Sequence, residues 1–157
     1  MKNIHIYNGP AHSGKTTFLF NWIAAQKNVG GILQPVVDSR RCLYNIFTRQ
    51  LKILELDPSG DEKNFDAIGK YKFSRDTFAW AQKLLLSCLS KELDWLIIDE
   101  IGPLEIEGKG FEPALSKILS EHEKFYGNIL IVVRKGLFQK VKAHYHLANS
   151  SRTFKEA

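Results

Sequence analysis

Cysteine is scarce in this chain. Only Cys42 and Cys88 occur in 157 residues, both inside apolar stretches. That excludes a disulfide-stapled scaffold, and the two are expected as reduced core thiols of a cytoplasmic protein. Long apolar runs are missing as well, none reaching the roughly 18 to 20 residues a membrane span requires. The opening Met1-Lys2-Asn3-Ile4-His5-Ile6 alternates like a strand and lacks the apolar core and cleavage site of a signal peptide. There is no repeat, low-complexity tract or linker, so residues 1–157 are expected to form one domain. Acid is nearly absent from the C-terminal end. From Arg134 onward six Lys/Arg (Arg134, Lys135, Lys140, Lys142, Arg152, Lys155) face one acid, Glu156, and this tail accounts for the net charge of +5. A basic face attracts nucleic acid or other anions. Here it has no dense positive run and no interleaved aromatics for stacking bases, so a solvated surface is the preferred reading over a nucleic-acid partner.

What is present is an alternation of strand and helix signals. Asn3 to Tyr7 reads as a short buried strand that ends at a Gly-rich turn. Helical spacing of Phe18, Leu19, Trp22 and Ile23 predicts a helix from Thr16 to about Lys27, stopped by Gly30-Gly31. Ile32–Val37, Cys42–Thr48 and Leu51–Leu56 read as an antiparallel meander with a turn at Asp38-Ser39-Arg40-Arg41, and Pro35 demotes its strand towards an edge. Asp57 to Asp61 is a loop, and Gly69 to Phe73 a further short strand. Ser74 caps a helix to about Ser90, with Phe78, Ala81, Leu84, Leu85, Cys88 and Leu89 as its apolar stripe. Trp95–Ile98 and Ile129–Val133 are continuous apolar runs, the pattern of strands covered on both faces. A helix from about Phe111 lies between them. Phe138 and Val141 suggest a short helix, and Tyr145 to Leu147 a last strand. Trp22, Trp80 and Trp95 read as packing residues. The fold expected is an α/β sandwich with a mostly parallel sheet and the meander after its first helix.

Residues 8 to 17, "NGPAHSGKTT", carry the first chemistry. Gly9-x4-Gly14-Lys15-Thr16 fits the phosphate-loop pattern between a strand and a helix, the setting that pattern requires. The loop Gly9, Pro10, Ala11, His12, Ser13 and Gly14 cradles phosphate through its backbone, and the helix adds the positive end of its dipole. Lys15 is expected on the β- and γ-phosphates, the Thr16 hydroxyl on Mg²⁺, and Thr17 at the α-phosphate. His12 is a variable loop position rather than an acid or base.

The second half of the site is "LDWLIIDEIGPLE", residues 93 to 105. Asp99 ends a buried strand, where open α/β sheets place ligand-contacting groups, and can hold Mg²⁺ opposite Thr16. Glu100, pointing another way, is free to accept a proton from an attacking water, and Gly102-Pro103 forces a turn just beyond. An acid beside the metal-binding Asp marks P-loop proteins that hydrolyse. Those proteins insert one strand between the phosphate-loop strand and the Asp strand, and Ile129–Val133 is the candidate. Arg134 at its end is expected to stabilise transition-state charge, with Arg40 and Arg41 as competitors. No Asn-Lys-x-Asp segment selects guanine. His144-x-His146, read on one face of a strand, has no further ligands nearby and makes a poor zinc site.

With these residues in view, the sequence resembles the small P-loop nucleoside-triphosphatase family that includes thermostable archaeal and bacterial enzymes and a human cancer-related enzyme. The resemblance rests on "GPAHSGKTTFL", "GGILQPVV", "RRCLYNI", "IGKYKF" and "IIDEIGPLE", in order across roughly residues 4 to 133. It implies a three-layer P-loop sandwich of the RecA-like division that hydrolyses several nucleoside triphosphates (ATP, GTP, CTP, UTP) with Mg²⁺. It carries over Gly9, Gly14, Lys15 and Thr16 for phosphate and metal, Asp99 for metal and Glu100 for water. The family's closing Asn-Arg pair has no counterpart, since Asn149 and Arg152 are separated. Two alternatives use the same nucleotide site: a small-molecule or nucleoside kinase with an acceptor pocket near the meander, and a slow switch module that binds nucleic acid or protein through the basic tail.

Overall fold

The computed structural model of the chain describes residues 3–8 and 14–156. One mixed sheet dominates. Its strands are β1 (Ile4–Tyr7), β2 (Val29–Leu33), β3 (Val36–Val37), β4 (Arg40–Asn45), β5 (Leu51–Ile53), β9 (Trp95–Ile101), β10 (Asn128–Val133) and β11 (Ser151–Thr153). They lie in the order β11-β1-β10-β9-β2-β4-β3, with β5 also on β4. The five strands from β11 to β2 are parallel, and β10 separates β1 from β9 as the sequence predicts. A smaller sheet of β6 (Glu55–Leu56), β7 (Phe65–Ile68) and β8 (Tyr71–Ser74) sits apart, in the order β6-β8-β7. The first of the β7–β8 pair was not legible in the sequence.

Helices cover both faces. The helix α1 (Lys15–Ala24) packs Leu19, Phe18, Trp22 and Ile23 against Tyr7, Leu33, Ile97, Leu130 and Val132. On the other face, α2 (Arg75–Cys88), α4 (Ala114–Ser120) and α5 (Phe138–His144) meet Ile4, Ile6, Ile32, Leu96, Ile98, Ile129, Ile131 and Val133. A one-turn helix, α3 (Pro103–Ile106), follows β9. The period-two split of β9 and β10 between the two clusters is why their sequences are apolar at every position. The expected α/β sandwich with a meander after α1 is what the chain adopts, except that the expected strand Leu51–Leu56 divides at Leu54 between the two sheets. Its α2 starts at the expected cap, where the Ser74 Oγ accepts from the Thr77 N–H at 3.1 Å.

Several elements differ from expectation. Gly30-Gly31 does not stop α1, which ends at Ala24. Both glycines lie inside β2, and Gly31, at φ +116°, runs so close to β9 that a Cβ there would lie 2.0 Å from the Ile97 carbonyl oxygen. The strand expected over 32–37 is broken at Gln34-Pro35, because proline offers no N–H to the ladder. Its register with β4 is nevertheless continuous, pairing Ile32 with Asn45 and Val37 with Arg40. The hairpin closes through Asp38 and Ser39, both at positive φ, the two-residue turn that matches strand twist. Regular helix begins at Ala114 rather than at Phe111. Tyr145–Leu147 is not a strand. The chain leaves α5 there, with His146 at φ 55°, and the last strand is β11, six residues later. Phe154 follows β11 and packs with Tyr7, Phe18, Trp22 and Trp95, tying the end of the chain to α1.

Candidate active site

The C-terminal ends of β2, β9 and β10 and the start of α1 open into a cleft of about 390 Å³ whose wall includes Lys15, Thr16, Thr17, Asp99, Glu100 and Arg134. That is the edge where parallel α/β sheets bind ligands. Of the phosphate-loop residues named above, Gly9, Pro10, Ala11, His12 and Ser13 lie outside the described residues. Gly14 is in the left-handed region at φ +80° and caps α1, its carbonyl accepting from the Phe18 N–H at 2.8 Å. Lys15, Thr16 and Thr17 form the first turn of that helix, beside the cleft.

Asp99 is 1% exposed. Its Oδ2 accepts the Thr16 hydroxyl at 2.9 Å and the Gln34 backbone N–H at 3.0 Å. Burial pushes its carboxyl up to about 6, with the neighbouring Glu100 charge acting the same way. The Gln34 N–H, the Thr16 hydroxyl and the Lys15 ammonium oppose that rise. Asp99 does not end its strand, which continues to Ile101. The pairing with β10 passes from Val132–Asp99 to Val133–Ile101, so Glu100 is the extra residue of a bulge. The Asp99–Glu100 peptide bond is cis. Adjacent acids face different partners: Asp99 meets Thr16, and Glu100 Oε2 accepts from Arg41 Nη1 at 3.3 Å.

The three candidate arginines separate clearly. Arg40 turns to the rim, 3.9 Å from Asp57, and does not line the cleft. Arg41 and Arg134 both line it. Arg134 follows β10, its N–H bonded to the Ile101 carbonyl at 2.8 Å, and its side chain passes over Gly102. Beyond Glu100 and Arg134 a second cavity of about 30 Å³ is floored by Leu54, Phe73, Phe78 and Leu104. It has room for about two waters.

Gln34 went unrecognised in the sequence. Besides the backbone bond to Asp99, its Nε2 lies 3.4 Å from the Asp99 carbonyl oxygen, and its Oε1 accepts from Arg41 at 3.2 Å. The only sequence signal was a polar residue at the end of an apolar run, just before Pro35. Glu105 also escaped notice. It is 3% exposed and braces the turn after Glu100, with Oε1 accepting from the Gly102 N–H at 2.8 Å and Oε2 from the Phe111 N–H at 3.0 Å. The His144/His146 pair is divided between the end of α5 and the turn after it. Among the described residues no cluster of three or more His, Cys, Asp or Glu is arranged to hold a metal. No helix of the described residues is long and apolar enough to cross a membrane.

The fold has solved counterparts. It is similar to the crystal structure of THEP1 from the hyperthermophile Aquifex aeolicus, with a TM-score of 0.75 and 18% identity, over 97% of this chain and 88% of that one. It is also similar to the solution structure of a human cancer-related nucleoside triphosphatase, with a TM-score of 0.69 and 20% identity, over 99% of this chain and 89% of that one. No curated protein matches the chain. At these identities the two structures establish the P-loop fold. The sequence itself goes further: a family model described as NTPase matches residues 4–153, and the chain belongs to that family.

Proposed function

We propose that the protein is a Mg²⁺-dependent nucleoside-triphosphatase that splits the β–γ phosphoanhydride of ATP, GTP, CTP and UTP with little regard to base. The observation that carries this reading is the division between two adjacent acids. Both line the cleft, Asp99 buried against Thr16 and Glu100 more open and paired with Arg41. A buried carboxylate beside a threonine hydroxyl is an oxygen-donor pair that suits a hard cation, whose charge would offset the cost of ionising Asp99 there. Thr16 and Asp99 would therefore hold Mg²⁺, directly or through water, and the bound ion would offset phosphate charge.

The remaining roles fall to the chain's own groups. The loop from Gly9 to Gly14 receives the phosphates, Thr17 supports the α-phosphate, and Lys15 at the start of α1 reaches the β- and γ-phosphates. Glu100 accepts the proton of the attacking water. The new bond forms between the water oxygen and the γ-phosphorus, the bond to the bridging oxygen breaks, and the diphosphate leaves. Arg134, between the cleft and the small cavity, stabilises the charge that develops.

Phosphate release from the four triphosphates, with no acceptor added, tests this. Glu100→Gln should lower release by about 10² or more, and Lys15→Ala by about 10² to 10³. Wild-type kcat/KM should vary among the bases by less than about tenfold, or about 1.4 kcal/mol. Phosphoryl transfer to an added hydroxyl acceptor that survives Glu100→Gln would replace hydrolysis with a kinase reading.

A further inference from the structure

We infer that Arg41 is the residue that reads the γ-phosphate. It holds Glu100 while no triphosphate is bound, and exchanges that carboxylate for the γ-phosphate when one enters. The inference rests on the cleft being the triphosphate site proposed above.

A single nitrogen makes both contacts. Arg41 Nη1 lies 3.3 Å from Glu100 Oε2 and 3.2 Å from Gln34 Oε1. Charge-assisted N–H···O bonds of good geometry run about 2.7 to 2.9 Å and are often bidentate with arginine. Both contacts here are longer, and the ion pair is single. Neither partner is fully buried, the side chains being 31% and 22% exposed, and a pair of this kind binds weakly. A terminal phosphate offers the same guanidinium more charge and a two-oxygen fork. The phosphate wins the exchange.

The backbone around Arg41 is held in place. Its N–H is 3.3 Å from Glu55 Oε1, Val36 pairs with it across the hairpin, and Gln34 is tied to Asp99 by its own N–H. Only the side chain has to swing. Until it does, the Glu100 carboxylate shares its charge with a cation and is a poorer acceptor for a water proton. A diphosphate lacks the terminal group, so the exchange would distinguish triphosphate from diphosphate and couple base release to a filled site. Arg40 cannot serve, because it turns to Asp57 on the rim.

Equilibrium binding of a non-hydrolysable triphosphate analogue and of a diphosphate, each with Mg²⁺, tests the exchange on wild type, Glu100→Gln, Arg41→Ala and the double variant. Glu100→Gln removes the competitor, so analogue affinity should rise about fivefold while diphosphate affinity holds. Arg41→Ala should lower analogue affinity about tenfold or more, again sparing the diphosphate, and Arg41→Lys should restore part of the loss. The double variant should bind like Arg41→Ala alone. Equal changes for both nucleotides, or additive effects in the double variant, overturn the exchange even if wild type binds nucleotide. Wild type that binds neither nucleotide would sink the cleft assignment itself. If Arg41→Ala does not fold, Glu100→Gln alone still decides: unchanged analogue affinity refutes the inference.

Discussion

Replacing Glu105 by glutamine should alter stability in a way that depends on pH. This carboxylate is 3% exposed and ties two ends of one turn, accepting the Gly102 N–H on one oxygen and the Phe111 N–H on the other. Burial pushes its carboxyl from the usual 4.5 up to about 7. The two N–H donors resist that rise, and the charge of Glu112 nearby adds to it. Because the folded value lies above the unfolded one, the folded chain holds the extra proton between the two. The stabilisation is therefore fully present below about pH 4.5 and is lost as pH rises through about 7. At about 1.4 kcal/mol per pH unit, that interval corresponds to about 3 kcal/mol at most.

Glutamine does not titrate and offers one acceptor where the carboxylate offers two. One of the two N–H groups must then face an NH₂, a cost of about 1 to 3 kcal/mol at every pH. Urea unfolding of both proteins at pH 5, 6, 7 and 8, without nucleotide, separates the two effects. The wild-type margin over Glu105→Gln should be largest at pH 5 and shrink towards pH 8. A margin that stays flat, or widens with pH, refutes the reasoning.

Three further changes test the scaffold and the site. Gly31→Ala should cost more than about 3 kcal/mol in chemical denaturation, because both the left-handed φ and the Ile97 carbonyl refuse a Cβ; a loss under about 1 kcal/mol would contradict the contact. Ser74→Ala removes the acceptor for the Thr77 N–H and should cost about 1 kcal/mol, read from the unfolding midpoint. Arg134→Ala should lower turnover at least about tenfold more than it lowers nucleotide affinity, by steady-state kinetics and calorimetry. Equal losses would remove Arg134 from the chemistry.

Parts of the molecule that are local in the chain were legible in the sequence. The start of α1 follows from Gly14 directly before Lys15, and the β9 run shows as four apolar residues ending in two acids. The insertion of β10 between β1 and β9 followed from that same chemistry. Non-local features were not legible. Gly30-Gly31 looks like a helix stop because the chain alone cannot say that Ile97 presses on it from β9. Gln34 shows no function until the β2–β9 pairing brings it to Asp99, 65 residues away. Of the β7–β8 hairpin only β7 escaped, because the residue it buries is the polar Asp66, held by Arg75, while Phe65 and Ala67 lie further out. β11 is polar because it is an edge strand three residues long, held by β1 on one side.

The same non-local contacts explain why two neighbouring acids meet separate partners. Successive strand residues point to opposite faces, but at a strand end that alternation would only turn Glu100 away from the nucleotide side. The bulge changes its direction, since Val133 pairs with Ile101 and leaves Glu100 out of the ladder. The hairpin from β2 through β3 to β4 then delivers Arg41 to meet it. Gly31 sets how near that hairpin stands to β9, because it lets β2 approach the Ile97 carbonyl closely. A larger residue there would push β2 outward and carry Gln34 and Arg41 with it. Asp99 would lose its second donor and Glu100 its cation in one displacement. The spacing of two backbones thus fixes the environments of both carboxylates, and Gly31→Ala should damage nucleotide binding together with stability rather than stability alone.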